Sequence, residues 1–396
     1  MLKYPAVRIG ALLAAAWLAL APAGAGAAGA SWEQWQAVKG IVDVDGPRSD
    51  GTLLVAGSAS LFLVDPNGNP QTPFATGTGG YHDVRTGEPY VAVSHGGTVS
   101  AAGCSFAPDE TFILRLRVPL GLIRVSADGQ DSGSFANLVG ATTIDGLAFD
   151  NTGSFDHRLL VIGPSGSKTV VFAVDCAGTV KVITRSAPTV EGGLAVAPST
   201  FGAFAGDLIA PDEVTGRIYA IAPDGKATTM ARPGLPVGGD IGVESLGFVP
   251  PGFFSRGGFV YYSDRLSAGR PHPGTDSLLR VSSSDLGALG VQEGDMLVAT
   301  EGGAAMVAVR CAATCTVIPV ITTPTKAHGE GHIAFVVIPP PASPSARPVG
   351  ADAHGPLVQP GLVDFVGTWG IPTGVAVVLL AVVAGFAVRA MRRRAR

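Results

Sequence analysis

The sequence predicts an all-β fold, a six-bladed β-propeller. Two recurring sequence patterns and the spacing between their copies are the basis of this prediction. A short apolar run ending in a small or acidic residue occurs six times, and its starts are about 49 residues apart on average. The copies are LLVAG (53–57), YVAVS (90–94), LLVIG (159–163), LIAPD (208–212), VYYSD (260–264) and LVATE (297–301). A strand–turn–strand pattern follows each copy, often with Asn-Gly, Asp-Gly or Ala-Gly at the turn, where glycine tolerates positive φ.

A third element precedes most copies and is expected to be the first, channel-lining strand of each blade. The clearest examples are TIDGLAFD (143–150), VEGGLAVAP (190–198), VESLGFVP (243–250) and GEGHIAFVV (329–337), with weaker forms at GIVDVD (40–45) and YHDV (81–84). Four short strands in units of roughly 40–60 residues are typical of propeller blades. The apolar runs are too continuous for a β-sandwich, whose strands alternate between buried and solvated faces.

The last copy of this third element indicates how the ring closes, because no hairpin follows it. We expect His332–Val337 to be the closing segment and to pair into the ring near the N-terminal strands. Strands from both chain ends then complete one blade. The propeller is therefore predicted to span residues 31–338.

Residues 1–30 have the pattern of a secretory signal peptide. Lys3 and Arg8 form a basic start, an apolar stretch follows, and small residues provide A-x-A cleavage sites. An uncleaved anchor is the alternative, but the apolar stretch is short for a membrane span. The rest of the chain is thus expected to be exported.

Residues 366–388 are predicted to form a transmembrane helix, because their uncharged stretch is about as long as the hydrocarbon core is thick. The basic tail 389–396 follows, and basic residues stay on the cytoplasmic side. This predicts a single-pass type I protein of the cell membrane with an extracytoplasmic ectodomain. Residues 339–365, rich in Pro, Ala and Gly, form the tether.

The amino-acid composition limits the classes of partner that the protein can bind. The net charge is −4 and the basic C-terminal tail is the main basic cluster, so nucleic acid is excluded as a partner. Abundant Ala and Arg with scarce Lys are typical of a high-GC bacterial genome. The expected partners are the membrane, through the C-terminal helix, and an unknown extracellular ligand.

The four cysteines all lie in the expected exported part, where disulfides persist. Cys311 and Cys315 flank a short turn, and a hairpin there brings them within bonding distance. Cys104 and Cys176 would then form the second pair. Three pairings are possible, and the sequence does not choose among them.

Acidic residues at the starts of the first strands are expected to converge at one mouth of the channel. The first-strand set is His82, Asp83, Asp145, Glu191, Glu244, Glu330 and His332, and the second-strand set is Asp212, Asp264 and Glu301. Converging carboxylates repel one another, which raises their pKa values unless a cation neutralises them, and Ca²⁺ accepts six to eight oxygens. We therefore predict a calcium site formed by Asp145, Glu191, Glu244 and Glu330. The alternative is that these carboxylates accept backbone N–H bonds from an adjacent strand.

His328, Glu330 and His332 stand at alternate positions, which share one face of an extended strand. Two imidazoles and a carboxylate on one face are a possible transition-metal site. The alternative is that the two histidines are exposed beside a Gly-rich turn and have no ligand.

The blade pattern resembles the six-bladed propellers of the NHL-repeat, strictosidine-synthase-like and gluconolactonase-like group, over residues 36–338. The gluconolactonase-like enzymes begin with an E-G-P strand whose Glu ligates a divalent metal. Glu191-Gly192 and Glu330-Gly331 match the first two positions of that motif, whereas the Asn ligands of the family have no counterpart here. The resemblance implies a metal-dependent hydrolase or lactonase.

The sequence contains no G-x-S-x-G nucleophile motif, P-loop or dinucleotide fingerprint. It therefore favours a non-enzymatic, membrane-tethered module that binds or scaffolds a protein, glycan or small ligand. The alternative is a Ca-dependent hydrolase or lactonase of the gluconolactonase-like type that uses the channel carboxylates.

Overall fold

Six four-stranded antiparallel sheets form the blades of a ring in the computed structural model of the chain. The structure describes residues 29–57, 60–69, 71–75 and 88–339. The first strand of each blade contacts the first strands of both neighbouring blades, so six inner strands surround a common axis. The predicted fold class, a six-bladed β-propeller, is confirmed.

Blades 1 to 4 follow chain order. The first strand of the chain, β1 (Glu33–Ala37), belongs to blade 6. Blade 1 contains β2 (Asp43–Asp45), β3 (Leu53–Gly57), β4 (Ser60–Val64) and β5 (Thr72–Phe74). Blade 2 contains β6 (Val91–Val99), β7 (Cys104–Arg115), β8 (Gly121–Val125) and β9 (Ser132–Asn137). Blade 3 contains β10 (Gly146–Phe149), β11 (Leu159–Ser165), β12 (Lys168–Val174) and β13 (Val180–Ala187). Blade 4 contains β14 (Ala195–Val196), β15 (Leu208–Asp212), β16 (Arg217–Ile221) and β17 (Ala227–Ala231), with a short 3₁₀ helix at Gly202–Phe204.

Blades 5 and 6 are interleaved in the chain. After β18 (Val243–Phe248), the chain passes through α1 (Phe253–Arg256), β19 (Gly258–Asp264), β20 (Ser277–Ser282) and α2 (Ser283–Ala288). It then forms β21 (Met296–Thr300), β22 (Met306–Cys311), β23 (Cys315–Ile321) and β24 (Gly329–Val337). Blade 5 has the order β18-β21-β22-β23, and blade 6 has the order β24-β19-β20-β1.

This interleaving corrects the predicted order of the last two units. VYYSD (260–264) is the second strand of blade 6, whereas LVATE (297–301) overlaps the second strand of blade 5. The register of β18 with β21, Val243 opposite Thr300, fixes this arrangement. The first strand of the LVATE blade is therefore β18, and β24 supplies the first strand of the blade that contains VYYSD.

Ring closure uses both chain ends, as expected. The predicted closing segment His332–Val337 lies in β24, which pairs with β19, and β1 pairs with β20 on the outer side of the same sheet. The segment therefore pairs with a late hairpin and packs beside β2 of blade 1 without joining its sheet.

The blade 2 prediction needs a second correction. YVAVS (90–94) was assigned to a second strand, but β6 is the innermost strand of its sheet. The weak first-strand copy at residues 81–84 lies outside the described residues.

The hydrophobic core of the described residues consists of six clusters, and each lies between two adjacent blades. Alternate residues of one strand serve two different clusters: Leu159 and Val161 face blade 2, whereas Leu160 and Ile162 face blade 4. All four side chains are fully buried. Burial on both faces explains the continuous apolar runs, because a strand between two blades has no solvated face.

Both expected disulfides are formed. Cys104 at the start of β7 bonds Cys176 in the turn after β12, with Cα atoms 5.9 Å apart, and joins blades 2 and 3. Cys311 and Cys315 are opposite each other across the β22–β23 hairpin and are bonded, with Cα atoms 4.0 Å apart.

The predicted terminal segments fall almost entirely outside the described residues. Of the signal peptide 1–30, only Gly29 and Ala30 are described, and the Ala30 N–H donates to the Val320 carbonyl oxygen. No helix within the described ranges has the length and apolar character needed to span a membrane. The predicted transmembrane helix at 366–388 is not among those residues.

Candidate functional site

An acidic cavity, here called the acidic mouth, lies where the inner strands begin. The inner strands run in the same direction about the axis, so their first residues meet at one end of the channel. The cavity has a volume of about 220 Å³. Among the described residues, eight carboxyl groups line it, those of Glu88, Asp145, Glu191, Glu213, Asp240, Glu244, Glu301 and Glu330.

All four residues of the predicted calcium site, Asp145, Glu191, Glu244 and Glu330, line the acidic mouth. The convergence expected from the repeat is therefore present. Binding of a metal there stays a prediction. Glu301, expected at the end of a second strand, lies in the same cavity.

Asp212 and Asp264, the other second-strand acids, have structural hydrogen bonds. Asp212 accepts from the Thr215 backbone at 3.1 Å, and Asp264 accepts from the His328 backbone at 2.8 Å. Neither lines the acidic mouth. His82 and Asp83 lie outside the described residues.

Three acids of the mouth were not predicted from the sequence: Glu88, Glu213 and Asp240. Glu88 carried a usable signal, because it stands two residues before the inward-facing Tyr90, as Glu244 stands before Leu246. The assignment of the first strand of blade 2 to residues 81–84 concealed it. Glu213 and Asp240 come from loops and carry no repeat signal.

Tight glycine contacts explain the repeated acid–Gly pairs. Gly192 has a φ of 79° and Gly331 a φ of 70°, both in the left-handed region that favours glycine. A Cβ at Gly192 would collide with the Glu244 backbone, and one at Gly331 would collide with the Asp43 carboxylate. Glycine therefore lets neighbouring inner strands approach at the axis.

The Tyr90 hydroxyl joins three carboxyl groups of the mouth. It lies 2.8 Å from Glu244 Oε1, 2.8 Å from Glu330 Oε2 and 3.0 Å from Glu88 Oε2. A phenol donates only one hydrogen bond, and an ionised carboxylate donates none. Three hydrogen bonds at this oxygen therefore require protons on two of the three carboxyl groups.

Arg265 is a cation that contacts two of these three carboxyl groups. Its Nη1 lies 3.0 Å from Glu330 Oε1 and 2.8 Å from Glu88 Oε1. Among the described residues, Glu244 has no cation contact, and its burial, together with the charge of Glu330, raises its pKa well above the usual range.

The excess of negative charge shifts the other carboxyl groups. The charge of Glu330, followed by burial, raises the pKa of Glu88 to about 7. Burial, with Glu213 beside it, raises the pKa of Glu191 to about 7. Burial and the charge of Glu191 raise the pKa of Asp145 well above its usual value. The mouth therefore holds protons at neutral pH that a cation would displace.

His328 lies at the edge of the mouth and is only 3% exposed. Its Nε2 is 2.8 Å from Glu301 Oε1 and 3.5 Å from Glu330 Oε1. Burial opposes the charge of His328, but hydrogen bonds to these two carboxyl groups outweigh it and raise its pKa to about 10. The interpretation of His328 as an exposed, incidental residue is therefore wrong.

His332 is also buried, 7% exposed, but lies deeper along the axis. Its Nδ1 is 3.0 Å from Asp43 Oδ2, and its Nε2 is 2.7 Å from the Leu147 carbonyl oxygen. The left-handed Gly331 interrupts the alternation of β24 between the two histidines. His332 therefore does not share a site with His328 and Glu330.

The donor set fits a divalent cation. In the described part of the chain, Asp240, Glu301 and His328 form one group whose ligand atoms all lie within 4.8 Å of one another. Two carboxylates and an imidazole suit Mn²⁺ or Zn²⁺, whereas the remaining carboxyl oxygens suit Ca²⁺. Asp145 Oδ1 and His328 Nδ1 are buried and have no hydrogen-bond partner, which leaves two polar atoms in this region unsatisfied.

Comparison with known proteins assigns the chain to no family. No family model matches the sequence, and no curated protein matches it. The chain is similar in structure to the virginiamycin B lyase from Staphylococcus aureus, with 9% identity and a TM-score of 0.40 over 78% of this chain and 96% of that one. It is also similar to a putative gluconolactonase, with 12% identity and a TM-score of 0.41 over 75% and 83% of the two chains. YCF48 from Cyanidioschyzon merolae shows 13% identity and a TM-score of 0.33 over 74% and 90%. With TM-scores below 0.5, these neighbours carry no argument about this chain.

Proposed function

We propose that this protein is a non-catalytic binding module whose acidic mouth holds a divalent cation, through which it binds an oxygen-rich protein, glycan or small ligand. The observation that carries this proposal is the charge of the mouth. Eight carboxyl groups face only three cationic side chains among the described residues, those of Arg265, Arg270 and His328. Full ionisation would leave a formal charge of −5, which a bound cation reduces directly.

The placement of the module follows from the terminal sequence patterns. The predicted signal peptide at 1–30 and the predicted membrane anchor at 366–388 support an ectodomain outside the cytoplasm, held by the predicted tether 339–365. The two disulfides suit an oxidising compartment.

Isothermal titration calorimetry tests cation binding on the full-length chain, stripped of metal with EDTA and dialysed. Ca²⁺, Mn²⁺ and Zn²⁺ are titrated separately into the wild type, Glu191→Gln and Glu301→Gln. We expect saturable binding of at least one ion, weakened tenfold or more by Glu301→Gln, because an amide oxygen carries no charge to neutralise the metal.

Glu293→Gln is the matched control, since Glu293 is exposed and does not line the mouth. Its affinity should stay within about twofold of the wild type. No saturable binding of any of the three ions, or equal affinity in the wild type and both mouth variants, would contradict the proposal.

A metal-dependent hydrolase is the second candidate, favoured by the two carboxyl groups whose pKa lies near 7. Glu88 and Glu191 are poised to donate or accept a proton at neutral pH. Hydrolysis of a small lactone in the presence of Ca²⁺, abolished by Glu191→Gln, would favour this candidate. Cation binding without turnover would favour the binding module.

A further inference from the structure

A second cavity lies at the opposite end of the axis, where the inner strands finish; it is here called the aromatic mouth. Every inner strand contributes to it, through residues such as Asp45, Val93, Phe149, Ala195, Phe248 and Phe335. Its volume is about 280 Å³, near the lower limit of ordinary small-molecule pockets. It shares no lining residue with the acidic mouth.

Three phenylalanine rings of its wall are held in fixed positions. Phe149 packs edge to face on Phe106 at 5.0 Å between ring centroids, and Phe248 packs similarly on Phe201 at 4.8 Å. Phe335 lies 5.7 Å from the ring of Phe253. Such pairs hold aromatic side chains in place, so the apolar wall exists before any ligand arrives.

The polar side of the aromatic mouth has two aspartate side chains, those of Asp43 and Asp45, beside one buried histidine, His332. Both ring nitrogens of His332 are engaged, one by Asp43 and the other by the Leu147 carbonyl oxygen, so this imidazolium has no donor left for a ligand. Asp45 lies beside this pair, and its Oδ2 accepts a hydrogen bond from the Val93 backbone at 2.7 Å. His95, the remaining titratable group of the lining, is exposed. The two aspartates thus face a single buried cation.

We propose that the aromatic mouth binds a small organic monocation, an amine with an apolar body, whose ammonium group contacts Asp45 and whose body packs against Phe149, Phe248 and Phe335. The carboxylate supplies a charge-assisted hydrogen bond, and the aromatic wall supplies apolar burial. A dication would be one charge in excess, and an anion would be repelled by Asp45. This site is independent of the cation proposed for the acidic mouth.

Calorimetry with three probes of similar shape tests the site: phenethylamine, neutral 2-phenylethanol and anionic phenylacetate. We expect the full-length chain to bind phenethylamine at least tenfold more tightly than either analogue. Asp45→Asn should remove most of that preference while keeping an oxygen that accepts from the Val93 N–H. Ala195→Phe, at a half-buried position of the lining, should abolish binding of all three probes by filling the cavity.

Glu191→Gln is the control, because it alters only the acidic mouth and should leave phenethylamine affinity within about twofold. Thermal unfolding of each variant verifies that it is folded. The proposal is overturned if phenethylamine does not bind, if the alcohol binds equally well, or if Asp45→Asn and Ala195→Phe, both folded, retain wild-type affinity.

Discussion

Among single residues, His332 connects three blades. From β24 in blade 6 it reaches Asp43 in blade 1 and the Leu147 carbonyl oxygen in blade 3. Asp43 also accepts the Val91 N–H of blade 2 at 2.8 Å. Since a carbonyl oxygen and a carboxylate only accept, both ring nitrogens carry protons and the ring is an imidazolium. Burial opposes that charge, but Asp43 outweighs it and raises the pKa of His332 to about 9.

We therefore expect His332→Gln to destabilise the protein by about 3 kcal/mol, because it leaves the buried Asp43 carboxylate without its cation. Denaturant unfolding followed by circular dichroism measures the change. His95→Gln, which replaces an exposed imidazole, should change the free energy of unfolding by less than about 0.5 kcal/mol. Equal stability of the two variants would show that the buried pair does not hold the ring.

Single residues also show how much of the candidate site could be predicted from the sequence. Asp145, Glu191, Glu244 and Glu330 were found because each begins an inner strand, and the repeat marks that position. The contacts of His328 and His332 were missed, because their partners, Glu301 and Asp43, are distant in the chain. A sequence pattern along one strand shows on which face of the strand a side chain lies. It does not show which residue of another blade contacts that side chain.

At the scale of elements, the positions of most strands could be predicted from the local sequence pattern, but the pairing of the last strands could not. The continuous apolar runs and Gly turns are local properties, and they located five of the six second strands. The partner of β18 is β21, reached only after the β19–β20 hairpin has entered the next blade. Because every blade presents similar apolar faces, nothing in the local composition of β19 distinguishes blade 5 from blade 6.

The two disulfides act on different elements and should differ in their effect on stability. The Cys104–Cys176 bond closes a loop with a sequence separation of 72 residues between two blades, whereas the Cys311–Cys315 bond spans 4 residues within one hairpin. Loop-closure entropy gives about 4 kcal/mol for the long loop and about 2 kcal/mol for the short one. We expect Cys104→Ala/Cys176→Ala to destabilise the protein more than Cys311→Ala/Cys315→Ala.

Unfolding in guanidinium chloride under non-reducing conditions measures both double variants against the wild type. The long-loop variant should have the lower transition midpoint. A lower midpoint for the hairpin variant would mean that the short disulfide acts through the folded state, and that chain entropy does not set the order.

At the scale of the whole molecule, the common direction of the inner strands separates two chemistries along one axis. Residues at or just before their starts supply most of the carboxyl groups of the acidic mouth, and residues near their ends supply the rings of the aromatic mouth. His332, which lines the aromatic mouth, forms a buried pair with Asp43. The two ends can therefore be altered independently, which the experiments on each mouth use.

The acidic mouth makes the stability of the whole molecule depend on pH. The pKa values of Glu88 and Glu191 are raised to about 7, that of Glu301, mainly by burial, to about 8, and those of His328 and His332 to about 10 and 9. The folded chain therefore binds more protons than the unfolded chain above the ordinary Glu pKa. Its free energy of unfolding must fall as pH rises through these values, first for the glutamates and then for the histidines.

We expect the thermal unfolding midpoint in EDTA to fall steadily between pH 5 and pH 9, and Glu191→Gln to make that decline shallower, because it removes one of the protons held only by the folded state. A divalent cation competes with these protons, so the stabilisation by millimolar Mn²⁺ or Ca²⁺ should be larger at pH 8.5 than at pH 5.5. Differential scanning fluorimetry over this pH range, with and without the ion, measures both effects. A midpoint that rises from pH 5 to pH 9 without metal would mean that the mouth carboxyls are already ionised at pH 5, and the charge argument for cation binding would fail with it.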